Sequence, residues 1–294
     1  MPSPAFVATL VSDPQRATLS DAFIAHAAQA LPGFVARRWL DKGIAADLYF
    51  DGAHSELAAA AAEADCDVIV QPVATRAKRL LVADMDSTLI GQECIDELAD
   101  AAGVGAYVAG VTERAMRGEL EFESALRERV GLLANLPMRV IDDVLRRRIT
   151  LTPGAKTLFA TFRARGGYAA IVSGGFTPFT GAVASWLGAD EHRANNLEIA
   201  DDRLTGKVIE PILGADAKLA ALRDLTERLG LAPHETLGVG DGANDLAMLT
   251  QAGLGVAFRA KPKVAAAAHA RIDHGDLTAR LYAQGIARAD FIDA

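Results

Sequence analysis

Three apolar segments constrain this chain most: RLLVAD (79–84), YAAIVSG (168–174) and TLGVGD (236–241) each end abruptly in polar or glycine residues and lead toward helical sequence. Segments so uniformly apolar must be covered on both faces. That predicts parallel strands of a doubly wound α/β sheet with helices on either side. GVAF (255–258) predicts a further strand. In sheets of this kind ligands bind beyond the carboxyl ends of the strands, so the polar residues that follow each strand stand where chemistry would occur.

The first part of the chain reads differently. AFVATLV, FVARRWL, AADLYF and DVIVQPV predict short strands, the second and third joined through Asp41-Lys42-Gly43. Leu19, Phe23, Ala27 and Leu31 recur at helical spacing, and a second helix is predicted around Ser55–Ala64. The order βαββαβ predicts a small ferredoxin-like α+β domain over residues 1–75, with the α/β domain over 76–294. The small domain is either a structural appendage or an ACT-like unit for amino-acid sensing or dimerisation, which leaves a homodimer open. No ligand signature is visible in it. Within the larger domain, about 91–150 carries four helical patterns directly after the first strand, and so predicts a helical cap over the strand ends. LEIADDRLTGKVIEPI (197–212) predicts a β-hairpin.

A length of 294 residues suits two domains. Thirty Lys and Arg against 38 Asp and Glu give a net charge of −8. Such a surface repels nucleic acid and anionic membranes unless a basic patch intervenes, and Arg146–Arg148 is only a short cluster. Cys66 and Cys94 are too few for a disulfide framework or a four-cysteine zinc site. The opening residues lack the pattern of a signal peptide, and no apolar run approaches the roughly 20 residues that span a bilayer. The expectation is a cytoplasmic protein with neither nucleic acid nor membrane as partner.

Asp84-Met85-Asp86-Ser87-Thr88 follows the first apolar strand. Two acids at the end of a buried strand are costly unless paired or bound to a metal. One use is phosphoryl transfer: Asp84 attacks phosphorus, and Asp86 protonates the leaving oxygen and later deprotonates water. A pair of acids capping a strand–helix turn is the simpler structural alternative. Other segments supply the rest of a site. Asp241 and Asp245, in the loop GDGAND, offer hard oxygen ligands for Mg²⁺. Ser173 and the glycines after it offer a hydroxyl and bare N–H groups for phosphate oxygens. Lys218 offers a cation.

DMDST, SGG, Lys218 and GDGANDLAML, in this order, resemble the four motifs of the haloacid dehalogenase-like phosphatases. The resemblance runs from about Arg79 to the end of the chain. It implies a Rossmann-like core, Mg²⁺ dependence and an aspartyl-phosphate route. Asp84 matches the nucleophile, Asp86 the acid/base, Ser173 and Gly174 the phosphate motif, and Lys218 the lysine motif. Asp241 and Asp245 match the acidic metal motif, with Asp84 and the backbone carbonyl of Asp86 completing the metal ligands. The cap sequence resembles the branch that acts on O-phospho-L-serine, in the last step of serine biosynthesis. That resemblance implies Glu93 for the substrate ammonium, Arg129 for its carboxylate, Met116 and Phe122 as apolar contacts, and Asn244 beside the phosphate. A zwitterion needs such an acid and such a guanidinium. Related substrates such as phosphohomoserine or phosphothreonine remain open. A phospho-accepting signalling domain is disfavoured, because Asp86 supports turnover and a cap of about 60 residues far exceeds the usual α/β connection.

Overall fold

The computed structural model describes residues 4–52, 65–116 and 119–293. Strands β1 (Phe6–Ser12), β2 (Phe34–Asp41), β3 (Ala45–Phe50) and β4 (Cys66–Pro72) form an antiparallel sheet in the order β2-β3-β1-β4. Helix α1 (Asp21–Gln29) starts at Ser20, whose hydroxyl accepts the Phe23 N–H at 3.1 Å. It buries Ile24 and Ala27 against Ala8, Leu10 and Leu48 on one face of the sheet. This is the ferredoxin-like strand order expected from the sequence. The second expected helix, around Ser55–Ala64, lies outside the described residues.

The other face of that sheet is largely covered over β1, β3 and β4. Val11, Ala45 and Ile69 join the main core of the molecule, and two polar contacts pin the junction. Arg76 donates to both oxygens of the fully buried Asp47 at 2.8 and 2.6 Å, to Thr9 at 2.9 Å, and to the carbonyls of Tyr282 and Ala283. Asp67 accepts the backbone N–H groups of Asp273, His274 and Gly275. A buried carboxylate deprived of its only cation is costly. Arg76→Ala is therefore expected to destabilise the folded chain by about 3 kcal/mol. Urea unfolding measures this, and an unchanged midpoint would show that the Arg76–Asp47 pair makes no net contribution.

Among the described residues, seven strands form the second sheet: β5 (Leu80–Ala83), β6 (Tyr168–Phe176), β7 (Glu191–Ala200), β8 (Arg203–Ile209), β9 (Thr236–Gly240), β10 (Leu254–Phe258) and β11 (Ala270–Ile272). Their order is β11-β10-β9-β5-β6-β7-β8, parallel throughout except for the β7–β8 hairpin. The hairpin turns through Asp201 and Asp202, both at positive φ, as a two-residue left-handed turn requires. Alternation along β5 sends Leu81 and Ala83 to one face and Leu80 and Val82 to the other.

Helices α2 (Cys94–Ala101), α3 (Gly105–Met116), α4 (Phe122–Gly131) and α5 (Arg139–Arg147) occupy the insertion after β5. Helices α6 (Ala155–Ala164) and α7 (Thr177–Leu187) cover one face of the sheet with Leu158, Phe159, Phe162, Phe179 and Val183. The opposite face is covered by α8 (Asp216–Arg228), α9 (Leu246–Gln251) and α10 (Pro262–Ala267), through Leu222, Leu225, Met248 and Val264. Helix α11 (Ala279–Ala283) packs on β1 and β3 and carries the carbonyls that Arg76 holds. No helix among the described residues is long and apolar enough to cross a membrane.

Candidate active site

Strands β5 and β9 are parallel neighbours, so their carboxyl ends deliver Asp84 and Asp241 side by side. The Asp84 N–H still bonds to Val239 O at 2.9 Å, which carries the ladder one step past β5. After Asp241 the chain makes a tight 3-10 turn, Ala243–Asp245, and sends the Asp245 carboxylate back toward the sheet. One of its oxygens accepts the Gly242 N–H at 2.9 Å. This return needs a bare backbone at Gly240, where a Cβ would stand 2.2 Å from Asp245 Cγ. Oxygens of Asp84, Asp241 and Asp245 lie within 4.8 Å of one another.

Lys218, in the first turn of α8, reaches this cluster from the other side. Its Nζ lies 2.8 Å from Asp84 Oδ1 and 2.7 Å from Asp245 Oδ1, and the side chain is almost fully buried. Burial alone would lower the lysine pKa, but the Asp84 and Asp245 carboxylates outweigh it and raise it above the ordinary value. Burial raises Asp84 well above the usual carboxylate range; Lys218 opposes that shift and Asp245 adds to it. Asp241 is raised by burial as well, against the Thr88 hydroxyl that donates to it at 3.0 Å. Three carboxylates face one ammonium, so the cluster is short of positive charge. Its donors are all hard oxygens, the kind a Mg²⁺ ion takes.

Asp86 lies in the turn after Asp84, beside the end of β6. Its Oδ1 accepts the Cys94 N–H at 3.0 Å, at the start of α2, and its Oδ2 accepts the Ser173 hydroxyl at 3.1 Å. Burial raises its pKa, with these donors opposing. Ser87, the next residue, sits at φ +53 and donates its hydroxyl to Glu93 Oε1 at 2.6 Å. Strained backbone of this kind is a frequent mark of a functional turn. Ser173 Oγ in turn accepts the Gly175 N–H at 2.8 Å. A methyl on Gly175 would meet Asp86 Oδ2 at 2.7 Å, so only glycine lets the two carboxyl-end loops approach this closely.

Of the residues from the insertion, Glu93 and Phe122 lie beside this cluster. Surrounding protein, with Asp86 nearby, pushes Glu93 up to about 7. The Phe122 ring lies against the Ser173–Gly175 turn, since a Cβ on Gly174 would be 3.1 Å from Phe122 Cζ. Arg129 makes long bonds to Ala125 O and Thr112 Oγ1, at 3.3 and 3.4 Å. Burial lowers its pKa, while Asp96 and Glu93 attract its charge. Asn244 folds over Gly242, where a Cβ would stand 2.4 Å from its Oδ1. Met116 ends α3, and its side chain lies outside the described residues.

Asp84, Asp86, Ser173, Lys218, Asp241 and Asp245 thus converge at the ends of β5, β6 and β9. Thr88 and Asn195 escaped the sequence reading. Thr88 stands inside the first motif, four residues after Asp84, and that spacing could have drawn attention to it. Asn195 carries no local signal, because its partners are distant in sequence.

Comparison with known proteins follows the same lines. A Schizosaccharomyces pombe protein named a probable phosphoserine phosphatase is 46% identical over 224 residues, 76% of this chain and 75% of that protein. A Streptomyces coelicolor phosphoserine phosphatase is 47% identical over 232 residues, covering 79% of this chain but only 56% of its own length, so the chain spans little more than half of that relative. The crystal structure of a Vibrio cholerae protein described as a probable phosphoserine phosphatase superposes with a TM-score of 0.79 at 34% identity, over 98% of this chain and 88% of the other. The family model for haloacid dehalogenase-like hydrolases matches residues 81–250, and this chain belongs to that family.

Proposed function

We propose that this chain is a Mg²⁺-dependent phosphomonoesterase that hydrolyses O-phospho-L-serine to L-serine and phosphate. The observation that carries the reading is the buried Lys218 bridge between Asp84 and Asp245, set beside the Asp86–Ser173 pair. Lys218 can accompany a phosphoryl oxygen into the site while holding Asp84 aligned and favouring its ionised form against burial. Asp84 Oδ then attacks phosphorus, the seryl oxygen leaves, and an aspartyl-phosphate remains. Asp86 gives its proton to the departing oxygen, a role suited to a carboxyl that burial holds above its ordinary pKa. In the second half it takes a proton from water as that water attacks phosphorus and releases phosphate.

Asp84, Asp241, Asp245 and the backbone carbonyl of Asp86 are the groups we assign to Mg²⁺. When bound there, the ion would offset the excess negative charge of the cluster and of the phosphoryl group. Ser173 and the N–H groups of the Gly174 turn hold phosphoryl oxygens, with Asn244 at the opposite side. In the cap, which we assign to about 91–150, Glu93 faces the ammonium, Arg129 the carboxylate, and Met116 and Phe122 the apolar middle of the substrate.

We assign residues 1–75 to an ACT-like domain and 76–294 to the phosphatase domain of a cytoplasmic enzyme. Strand β2 is an edge strand exposed from Phe34 to Arg38, which supports a homodimer formed through the smaller domain.

The test is phosphate release from phosphoserine, phosphothreonine, phosphoethanolamine and p-nitrophenyl phosphate, with Mg²⁺ and with EDTA. Phosphoserine is expected to be fastest, and EDTA to stop the reaction reversibly. Arg129→Ala should lower kcat/KM for phosphoserine roughly 30-fold, the effect of leaving a buried carboxylate without its guanidinium. p-Nitrophenyl phosphate, which has no carboxylate, should change little. Equal losses on both substrates would make Arg129 a structural cap residue, and full activity in EDTA would remove the metal.

A further inference from the structure

Strand β6 loses its register with β7 at the phosphate turn. Val172 pairs with Arg193, and the next pair is Phe176 with Asn195, so four residues of β6 run beside two of β7. Ser173, Gly174 and Gly175 bulge out of the ladder and leave backbone groups without strand partners. The Asn195 side chain fills that break. It is 1% exposed, and its Nδ2 donates to Gly174 O at 2.8 Å and to Leu213 O at 3.3 Å. Its Oδ1 accepts the Leu213 N–H at 2.7 Å. One amide therefore ties the phosphate turn to the loop that leads through Gly214 and Ala215 into α8 and Lys218.

The geometry has a directional consequence. The Gly174–Gly175 peptide is trans, so its C=O and N–H point opposite ways. With the Gly174 carbonyl held by Asn195, the Gly175 N–H is turned to Ser173 Oγ, and Ser173 donates onward to Asp86 Oδ2. Without the Asn195 donor that peptide is free to rotate, and a carbonyl turned into the site would repel a phosphoryl oxygen.

We propose that Asn195 is a positioning residue for phosphate: it fixes the Gly174–Gly175 peptide with its N–H toward the reaction site and couples that turn to the Lys218 loop. This rests on the phosphatase reading above. Asn195 touches neither substrate nor metal ligands, so its effect should fall on phosphate affinity.

The experiment measures competitive inhibition by inorganic phosphate, KM and kcat for phosphoserine, and the Mg²⁺ concentration for half-activation, in the unmutated chain, Asn195→Ala and Asn195→Asp. Thermal melting reports the folded state of each. The expected result is an inhibition constant for phosphate and a KM both raised about tenfold, as for loss of one hydrogen bond to a charged group, with half-activation by Mg²⁺ moved less than twofold. A merely structural role would lower the melting temperature and the active fraction, and so kcat, while leaving the phosphate constant alone. That outcome overturns the proposal. Should Asn195→Ala fail to fold, Asn195→Asp decides. It keeps the size and the acceptor for Leu213 N–H and removes the donor to Gly174 O, together with the longer bond to Leu213 O, so an unchanged phosphate constant in it also overturns the proposal. Failure of the unmutated chain to turn over phosphoserine would instead remove the phosphatase reading, and phosphate binding followed by calorimetry still separates the variants.

Discussion

Asp84→Asn is expected to abolish turnover, on the order of 10⁴-fold or more, because an amide oxygen cannot form and release an acyl phosphate. The substitution is nearly isosteric. The Met85 N–H that bonds to Asp84 Oδ1 at 2.8 Å and the Lys218 contact can both keep an oxygen partner. Loss of activity can therefore be assigned to lost nucleophilicity, provided circular dichroism and melting show an intact fold. Borohydride trapping of the unmutated chain during turnover should label Asp84 and no other residue. Substantial steady-state activity in Asp84→Asn would remove the covalent route, leaving the acidic cluster to act on water directly.

Asp86→Asn is expected to lower kcat for phosphoserine by about 10²–10⁴-fold, the range for loss of a general acid–base group. The contacts around Asp86 argue that the loss will be chemical: its two oxygens accept from Cys94 N–H and from the Ser173 hydroxyl, and an amide can keep the first while its NH₂ turns toward the second. The alkoxide of serine is a poor leaving group and needs the proton, whereas p-nitrophenolate departs without it. The loss should accordingly be much smaller for p-nitrophenyl phosphate when formation of the aspartyl-phosphate limits the rate. Equal losses on the two substrates would mean that Asp86 acts only in hydrolysis of the phospho-enzyme, or by holding Ser173.

The strands that carry the site were legible because burial on both faces leaves a strong local mark. LLVA, AAIV and LGV have no polar side chain to expose, and each leads directly into a polar or glycine turn. The β7–β8 hairpin was equally legible, since Asp201-Asp202 provides left-handed turn residues between alternating segments. The part of β7 that pairs with β6 was not foreseen. Its sequence EHRANN is polar, and it lies in the sheet because hydrogen bonds to β6 and ion pairs such as Arg163–Asp190 at its start hold it there. Strand β11 has three residues and no pattern of its own; it forms because the edge of β10 offers a partner.

By itself the sequence determined the chemical inventory: two acids after one strand, a hydroxyl and glycines after a second, two acids after a third, and a lysine in a helix between them. Those are properties of residue type and spacing, and local sequence records them fully. What only the tertiary structure decided is how the inventory is held. Lys218 bridges Asp84 and Asp245, Thr88 steadies Asp241, Asn195 fastens the Ser173–Gly175 turn to a loop 18 residues further on, and Arg76 locks Asp47 into the junction of the two sheets. Each of these contacts joins side chains or backbone groups that the chain brings together only when the sheet is assembled. Their energy comes from burial shared between distant segments, and no window of sequence contains both partners.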